Sequence, residues 1–305
     1  MADRVAYDEF SYFHENAREY GLPYDGPPIV RRVAVDLGDG RSLSALLWGA
    51  TEPDLVLVHG GAQNAHTWDT VAMALGRSIL AVDLPGHGHS DGPREGATTD
   101  PVSNAADVAV AVRALAPNAA GVVGMSLGGM TSIALAHAAP EIVRRLLLVD
   151  VTPGVTGNKA SQIIAFVNGP EFFPSFDEIL ERTIQFNPTR TVESLRRGIL
   201  HNAEQRDDGS WVWRHARHRA MQAPEEGAAK RDFGSLWDMV SGYPGPICLA
   251  RGMRDQSVVT DEDEAELVKR RPDARIEHFA EAGHSLQGDT PLELAALIQD
   301  FIPSP

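Results

Sequence analysis

The stretch "AGVVGMSLGGMTS", residues 120–132, decides the fold. It runs apolar, turns through glycines around a single serine, Ser126, and resumes as small apolar residues. A buried strand that passes into a small-residue helix through so short a bend lifts the serine hydroxyl out of the sheet. Gly124 and Gly128 flank the bend because larger side chains would collide with the neighbouring strand and helix. Serine alone is a weak nucleophile at neutral pH. The bend therefore has chemical meaning only if the chain supplies a base and a partner for that base elsewhere. A glycine-rich turn with an idle serine is the alternative.

Working outward, "DLVLVHGG" (54–61), "SILAVDLPG" (78–86), "RRLLLVD" (144–150) and "GPICLARG" (245–252) are further continuous apolar runs. Runs without alternation are what strands covered on both faces look like. Helical stretches separate them: about 66–76, Ser103 to Ala116 with Ser103 as N-cap, Ser126 to Ala139, an acidic stretch near 261–271, and Pro291 to Ile302. Strands alternating with helices give a mainly parallel sheet with helices on both faces. Ahead of them, "IVRRVAVDL" and "SLSALLWG", joined by "GDGR", read as an antiparallel hairpin. The rhythm breaks after "VTPGVTG". Residues 156–240 carry helical stretches and nine aromatics but no βαβ step, so they read as a helical insertion. The expected organisation is a core over 1–155 with an N-terminal helical extension at 1–28, the insertion at 156–240, and the rest of the core at 241–305.

In an open parallel sheet, reactive groups gather beyond the carboxyl ends of the strands. His284, in "AEAGHSLQGDTP" after the strand "ARIEHF", lies at that end and is the candidate base. Asp255, in "RGMRDQSV" after "ICLARG", is the candidate acid, and Asp150, which ends "LLLVD", is the alternative. The backbone N–H of Leu127 follows the nucleophile directly. With that of Gly61 in "HGGAQ", or of Ala62, it would receive the developing oxyanion. Trp68, soon after that loop, is a candidate pocket residue, with core packing the competing account.

Composition narrows the partners. A formal net charge of −15 repels phosphate backbones and argues against nucleic acid. No apolar run approaches the roughly 20 residues needed to cross a bilayer. An acidic N-terminus is unlike a signal peptide, and one cysteine, Cys248, suits a reducing compartment, so a cytoplasmic location is expected. The pairs His87/His89 and His215/His218 lack a supporting metal-site pattern, and no metal site is expected. Arg214, His215, Arg217, His218 and Arg219 could meet an anionic substrate, but read first as a solvated helix face.

Together, "HGG" (59–61), "DLPGHGHSD" (83–91), "GMSLGG" (124–129), "GMRD" (252–255) and "AGHS" (282–285) resemble the α/β hydrolase superfamily over nearly the whole core. The resemblance implies a mostly parallel eight-stranded sheet with a lid inserted after the sixth strand. It implies Ser126 as nucleophile, Asp255 as acid and His284 as base, and no cofactor. In "DLPGHGHSD", Asp83, Gly86, Gly88 and Ser90 would hold backbone geometry. A serine at the bend is unlike the related dehalogenases and epoxide hydrolases, which place an aspartate there. The leading expectation is a hydrolase of small-molecule carboxylic esters or lactones acting through an acyl-enzyme. The alternatives are carbon–carbon hydrolysis of the meta-cleavage product type and a non-catalytic binding protein on the same fold. Oligomeric state leaves no trace in the sequence.

Overall fold

The protein is represented by a computed structural model that describes residues 4–94, 100–156, 159–187, 190–215 and 233–304. In chain order the elements are α1 (Phe13–Tyr20), β1 (Val30–Asp36), β2 (Ser42–Trp48), β3 (Leu55–Val58), α2 (Asp69–Leu75) and β4 (Ile79–Val82). There follow α3 (Pro101–Leu115), β5 (Gly121–Met125), α4 (Leu127–Ala138) and β6 (Leu146–Val149). The insertion holds α5 (Ser161–Val167), β7 (Phe172–Phe173), α6 (Phe176–Phe186), α7 (Val192–Asn202), β8 (Ala203–Gln205) and β9 (Trp211–Trp213). The chain closes with α8 (Ser235–Gly242), β10 (Ile247–Gly252), α9 (Asp261–Arg270), β11 (Arg275–Phe279), α10 (Leu286–Asp289) and α11 (Pro291–Phe301).

Eight strands form one sheet in the order β1-β2-β4-β3-β5-β6-β10-β11. The hairpin strand β2 pairs antiparallel with both β1 and β4, and all pairs from β4 to β11 are parallel. Alternate side chains explain the continuous apolar runs. Val56, Val58, Val122, Leu146 and Leu148 enter a core shared with α3, α4 and α8. Their neighbours Leu55, Leu57, Val123, Leu147 and Val149 enter the opposite core with Trp68, Val71 and α11. Both faces are covered, so neither parity can be polar.

Local chemistry shifts some boundaries. Helix α3 starts earlier than Ser103, because Asp100 accepts the Val102 and Ser103 N–H groups and Ser103 is the third helical residue of a capping box. The insertion is mixed rather than purely helical. Its strands β7-β9-β8 form a small antiparallel sheet, and at two or three residues each they are too short to show a period. Phe173, Ile179, Ile199, Trp211 and Trp213 make its own core, which Tyr12 of the N-terminal segment joins. The expected boundary at residue 240 cuts through α8, whose Leu236, Trp237 and Val240 pack into the main core. Among the described residues, no helix is long and apolar enough to cross a membrane.

Candidate active site

Ser126 sits between β5 and α4 with φ 52° and ψ −119°. That conformation costs a non-glycine residue about 1–3 kcal/mol and persists only where the surroundings enforce it. They do so by close packing. A Cβ on Gly124 would lie 2.5 Å from the Gly128 carbonyl oxygen, and one on Gly128 would lie 2.3 Å from that of Val58. The glycines around the serine are therefore a packing requirement. Ser126 is half-buried, while its strand and the rest of the first helical turn after Leu127 are buried.

Sheet register sets the neighbours of this residue. Met125 pairs with Val149, so Ser126 and Asp150 are adjacent, each one residue past the end of its strand. Asp150 is fully buried and also has a positive φ, 46°. Its Oδ1 accepts Gly252 N–H at 3.0 Å and Ser257 O–H at 2.6 Å. Its Oδ2 accepts Val258 N–H at 3.0 Å and, at 2.9 Å, the Nδ1–H of His284. His284 is 8% exposed. Its loop is fixed against the end of β10: Arg254 N–H donates to Ala282 O at 3.0 Å, and a Cβ on Gly252 would lie 2.1 Å from Gly283 O.

The acid is where the structure departs from the sequence reading. Asp255, the expected partner of His284, is exposed in a turn and has no described hydrogen bond to it. The reason is local: beyond Gly252 the chain swings outward through Met253, Asp255 and Gln256, all exposed, and returns at Ser257 and Val258 to donate to Asp150. Two strands end near the imidazole, and the nearer carboxylate belongs to β6. No hydrogen bond joins Ser126 Oγ to His284 among the described residues; contacts of this kind commonly tighten only when substrate binds.

The loop after β3 covers the bend. A Cβ on Gly60 would lie 2.4 Å from Met125 Sδ and 3.2 Å from Ser126 Cβ, and one on Gly61 would meet the Leu127 side chain at 4.0 Å. Gly61 thus faces Leu127, whose N–H opens α4 and has no carbonyl one turn back within the helix. Buried His59 fixes the loop from below: its Nε2 accepts Leu84 N–H at 2.9 Å, so its Nδ1–H donates to Gly60 O at 2.7 Å. Burial lowers the His59 pKa and keeps the ring neutral.

The "DLPGHGHSD" loop braces this arrangement. Fully buried Asp83 accepts Ala65 N–H at 2.7 Å and the Arg32 guanidinium at 2.6 Å. Ser90 O–H donates to Asp83 O, Gly86 and Gly88 have φ of 75° and 53°, and a Cβ on Gly88 would strike the Asp83 carboxylate. The His87 ring lies tilted against that of His59, with centroids 5.2 Å apart and planes at 58°, and burial lowers its pKa to about 3.

Trp68 is corrected from pocket to core. It is fully buried among Leu55, Leu57 and Val71, so it has no face left for a ligand. Arg214 is not on a solvated face: it pairs with Glu204 at 3.3 Å and lies 5.9 Å from the Tyr7 ring centroid. His215 stacks near Trp213 and His87, while Arg217, His218 and Arg219 lie outside the described residues.

The chain as a whole has relatives among known proteins. A family model described as the alpha/beta hydrolase family matches residues 55–297. The chain is 44% identical over 303 residues to the esterase Rv0045c of Mycobacterium tuberculosis, covering 97% of this chain and 96% of that one. A crystal structure of that esterase superposes with a TM-score of 0.82, at 42% identity, over 99% of this chain and all of the other. Identity is 27% over 281 residues to the sn-1-specific diacylglycerol lipase ABHD11 of Xenopus laevis, covering 89% of this chain and 84% of that one.

Proposed function

Because the chain belongs to the α/β hydrolase family and is a hydrolase, we propose that it cleaves a small-molecule carboxylic ester by way of an acyl-enzyme on Ser126. The observation that carries this reading is the join at the carboxyl edge: buried Asp150, with four donors on its two oxygens, accepts from His284 and stands by register next to Ser126 in its enforced bend. A carboxylate on Nδ1–H leaves Nε2 as the basic nitrogen.

In this mechanism Ser126 Oγ attacks the ester carbonyl carbon while His284 Nε2 takes its proton. The carbonyl oxygen becomes an oxyanion, received by the N–H groups of Leu127 and Gly61, each worth about 3–4 kcal/mol in the transition state. The tetrahedral intermediate collapses, the ester C–O bond breaks, and His284 returns the proton to the departing alcohol. Water then enters, His284 deprotonates it, and the acyl group leaves as a carboxylic acid with Ser126 restored. Asp150 remains a hydrogen-bond acceptor throughout: it orients the ring and offsets the charge of the imidazolium without itself becoming protonated. A lactone fits the same steps, with the alcohol remaining attached to the acid.

The test is hydrolysis of short-chain p-nitrophenyl esters followed by mass analysis after fluorophosphonate treatment. The wild type should turn over and gain one phosphonyl adduct on Ser126; Ser126→Ala should do neither. Turnover that survives Ser126→Ala, or an adduct elsewhere, would refute the proposal.

A further inference from the structure

Between the core and the insertion lies a cavity of about 180 Å³ to which the mechanism above gives no part. It adjoins both catalytic loops. Ala62 and Gln63, which line it, follow Gly61, and Ser285, which also lines it, follows His284. Further walls come from α1 and α2 on one side and from α7 on the other. Its volume matches about six water molecules at about 30 Å³ each, which is room for one hydroxylated ring.

The lining is rich in groups that both donate and accept. Asn16, Gln63, Asn187, Asn202 and Gln287 bring five carboxamides to one space, and each carboxamide carries two N–H donors and an acceptor oxygen. Bonds within the protein leave part of this capacity unspent. Asn16 Oδ1, Gln287 Oε1 and Asp69 Oδ1 are buried and accept no hydrogen bond among the described residues, so they gain from a guest that donates. Gln63 Oε1 accepts Gly60 N–H at 3.0 Å, which leaves the amide NH₂ to donate. Arg190 donates to Ser194 Oγ at 2.6 Å and keeps further N–H groups beyond that bond.

Charge gives no preference to an ion. The Asp69 carboxylate and the Arg190 guanidinium line the same space, so a guest of either sign meets a like charge. A neutral guest with several hydroxyls does not, and each hydroxyl both donates and accepts. Phe166 and Trp213 also line the cavity, with ring centroids 5.8 Å apart and planes at 63°. An aromatic face carries negative potential and suits the C–H side of a saturated ring. Hydroxyls around the edge and C–H bonds on the face describe a pyranose. On the esterase reading above, on which this rests, we propose that the cavity receives a neutral sugar ring and that the ester cleaved at Ser126 is an acylated sugar. The steps balance as before. The acyl C–O bond breaks, His284 Nε2 returns its proton to the sugar oxygen, and water takes up the acyl group as a carboxylic acid.

The test compares kcat/KM of the full chain on mono-acetylated methyl glucosides and on ethyl acetate, which share the acyl group. The sugar esters should be preferred by about 10²-fold or more. Methyl glucoside, galactoside and mannoside are also added to the p-nitrophenyl acetate assay, and at least one should inhibit competitively. Arg190→Met and Gln287→Met should each cut the preference for the sugar ester about 10-fold, whereas Arg196→Ala, at an exposed position of α7, should retain it. If neither Met variant folds, inhibition of the wild type by the glycosides decides. Turnover of p-nitrophenyl acetate with no preference for a sugar ester and no inhibition by a glycoside would overturn the proposal. So would tighter inhibition by succinate or ethanolamine than by any glycoside, which would show that the walls select charge. Failure of the esterase reading looks different, as no turnover of any ester; calorimetry with the same glycosides would then support or overturn the sugar site by itself.

Discussion

The carboxyl edge of the sheet and the insertion are built by different means. At the edge, position follows from register: each residue one step past a parallel strand stands beside its counterpart on the next strand, as Ser126 stands beside Asp150. In the insertion, strands of two or three residues and short helices are held by aromatic contacts, such as Trp213 against Phe166 and Phe173 at 5.8 Å and 6.0 Å between centroids. The first region is specified by backbone hydrogen bonds, which short motifs announce. The second is specified by side-chain packing, which they do not.

Three substitutions and one labelling experiment test that contrast. The largest effect belongs to the edge: His284→Ala should lower kcat about 10⁴-fold or more while leaving urea unfolding nearly unchanged, read from steady-state rates and a denaturation curve. Trp68→Ala should do the reverse. It empties a fully buried core position and should cost about 3–5 kcal/mol, seen in the urea midpoint, with the pH profile of kcat/KM retained. Gly128→Ala should move both. Its new methyl meets the Val58 and His59 carbonyls, for a loss of about 1–3 kcal/mol together with a fall in kcat, because those carbonyls belong to the strand end that carries the oxyanion loop. Smallest is the cysteine. Burial pushes the Cys248 thiol up to about 12, above the ordinary thiol range. The reactive thiolate is therefore scarce in the folded chain from pH 7 to pH 9, and iodoacetamide should label native protein far more slowly than unfolded protein, with no loss of activity.

The sequence displayed the sheet and the bend plainly, because strands covered on both faces cannot hide their apolar runs and the packing around Gly124 and Gly128 admits no side chain. It did not separate Asp150 from Asp255. Both follow a strand at the correct end, and only the outward swing of residues 253–256 tells them apart. Trp68 was ambiguous for a similar reason: an indole near a loop is apolar whether it meets a ligand or a core.

In the proposed mechanism Asp150, one residue past β6, orients the base. Asp150→Asn and Asp255→Asn, purified in parallel and assayed on one p-nitrophenyl ester, test it most directly. A kcat lower by about 10⁴-fold is expected for Asp150→Asn and a change within about 3-fold for Asp255→Asn, consistent with its exposed position. Near-normal turnover in Asp150→Asn together with collapse in Asp255→Asn would contradict it.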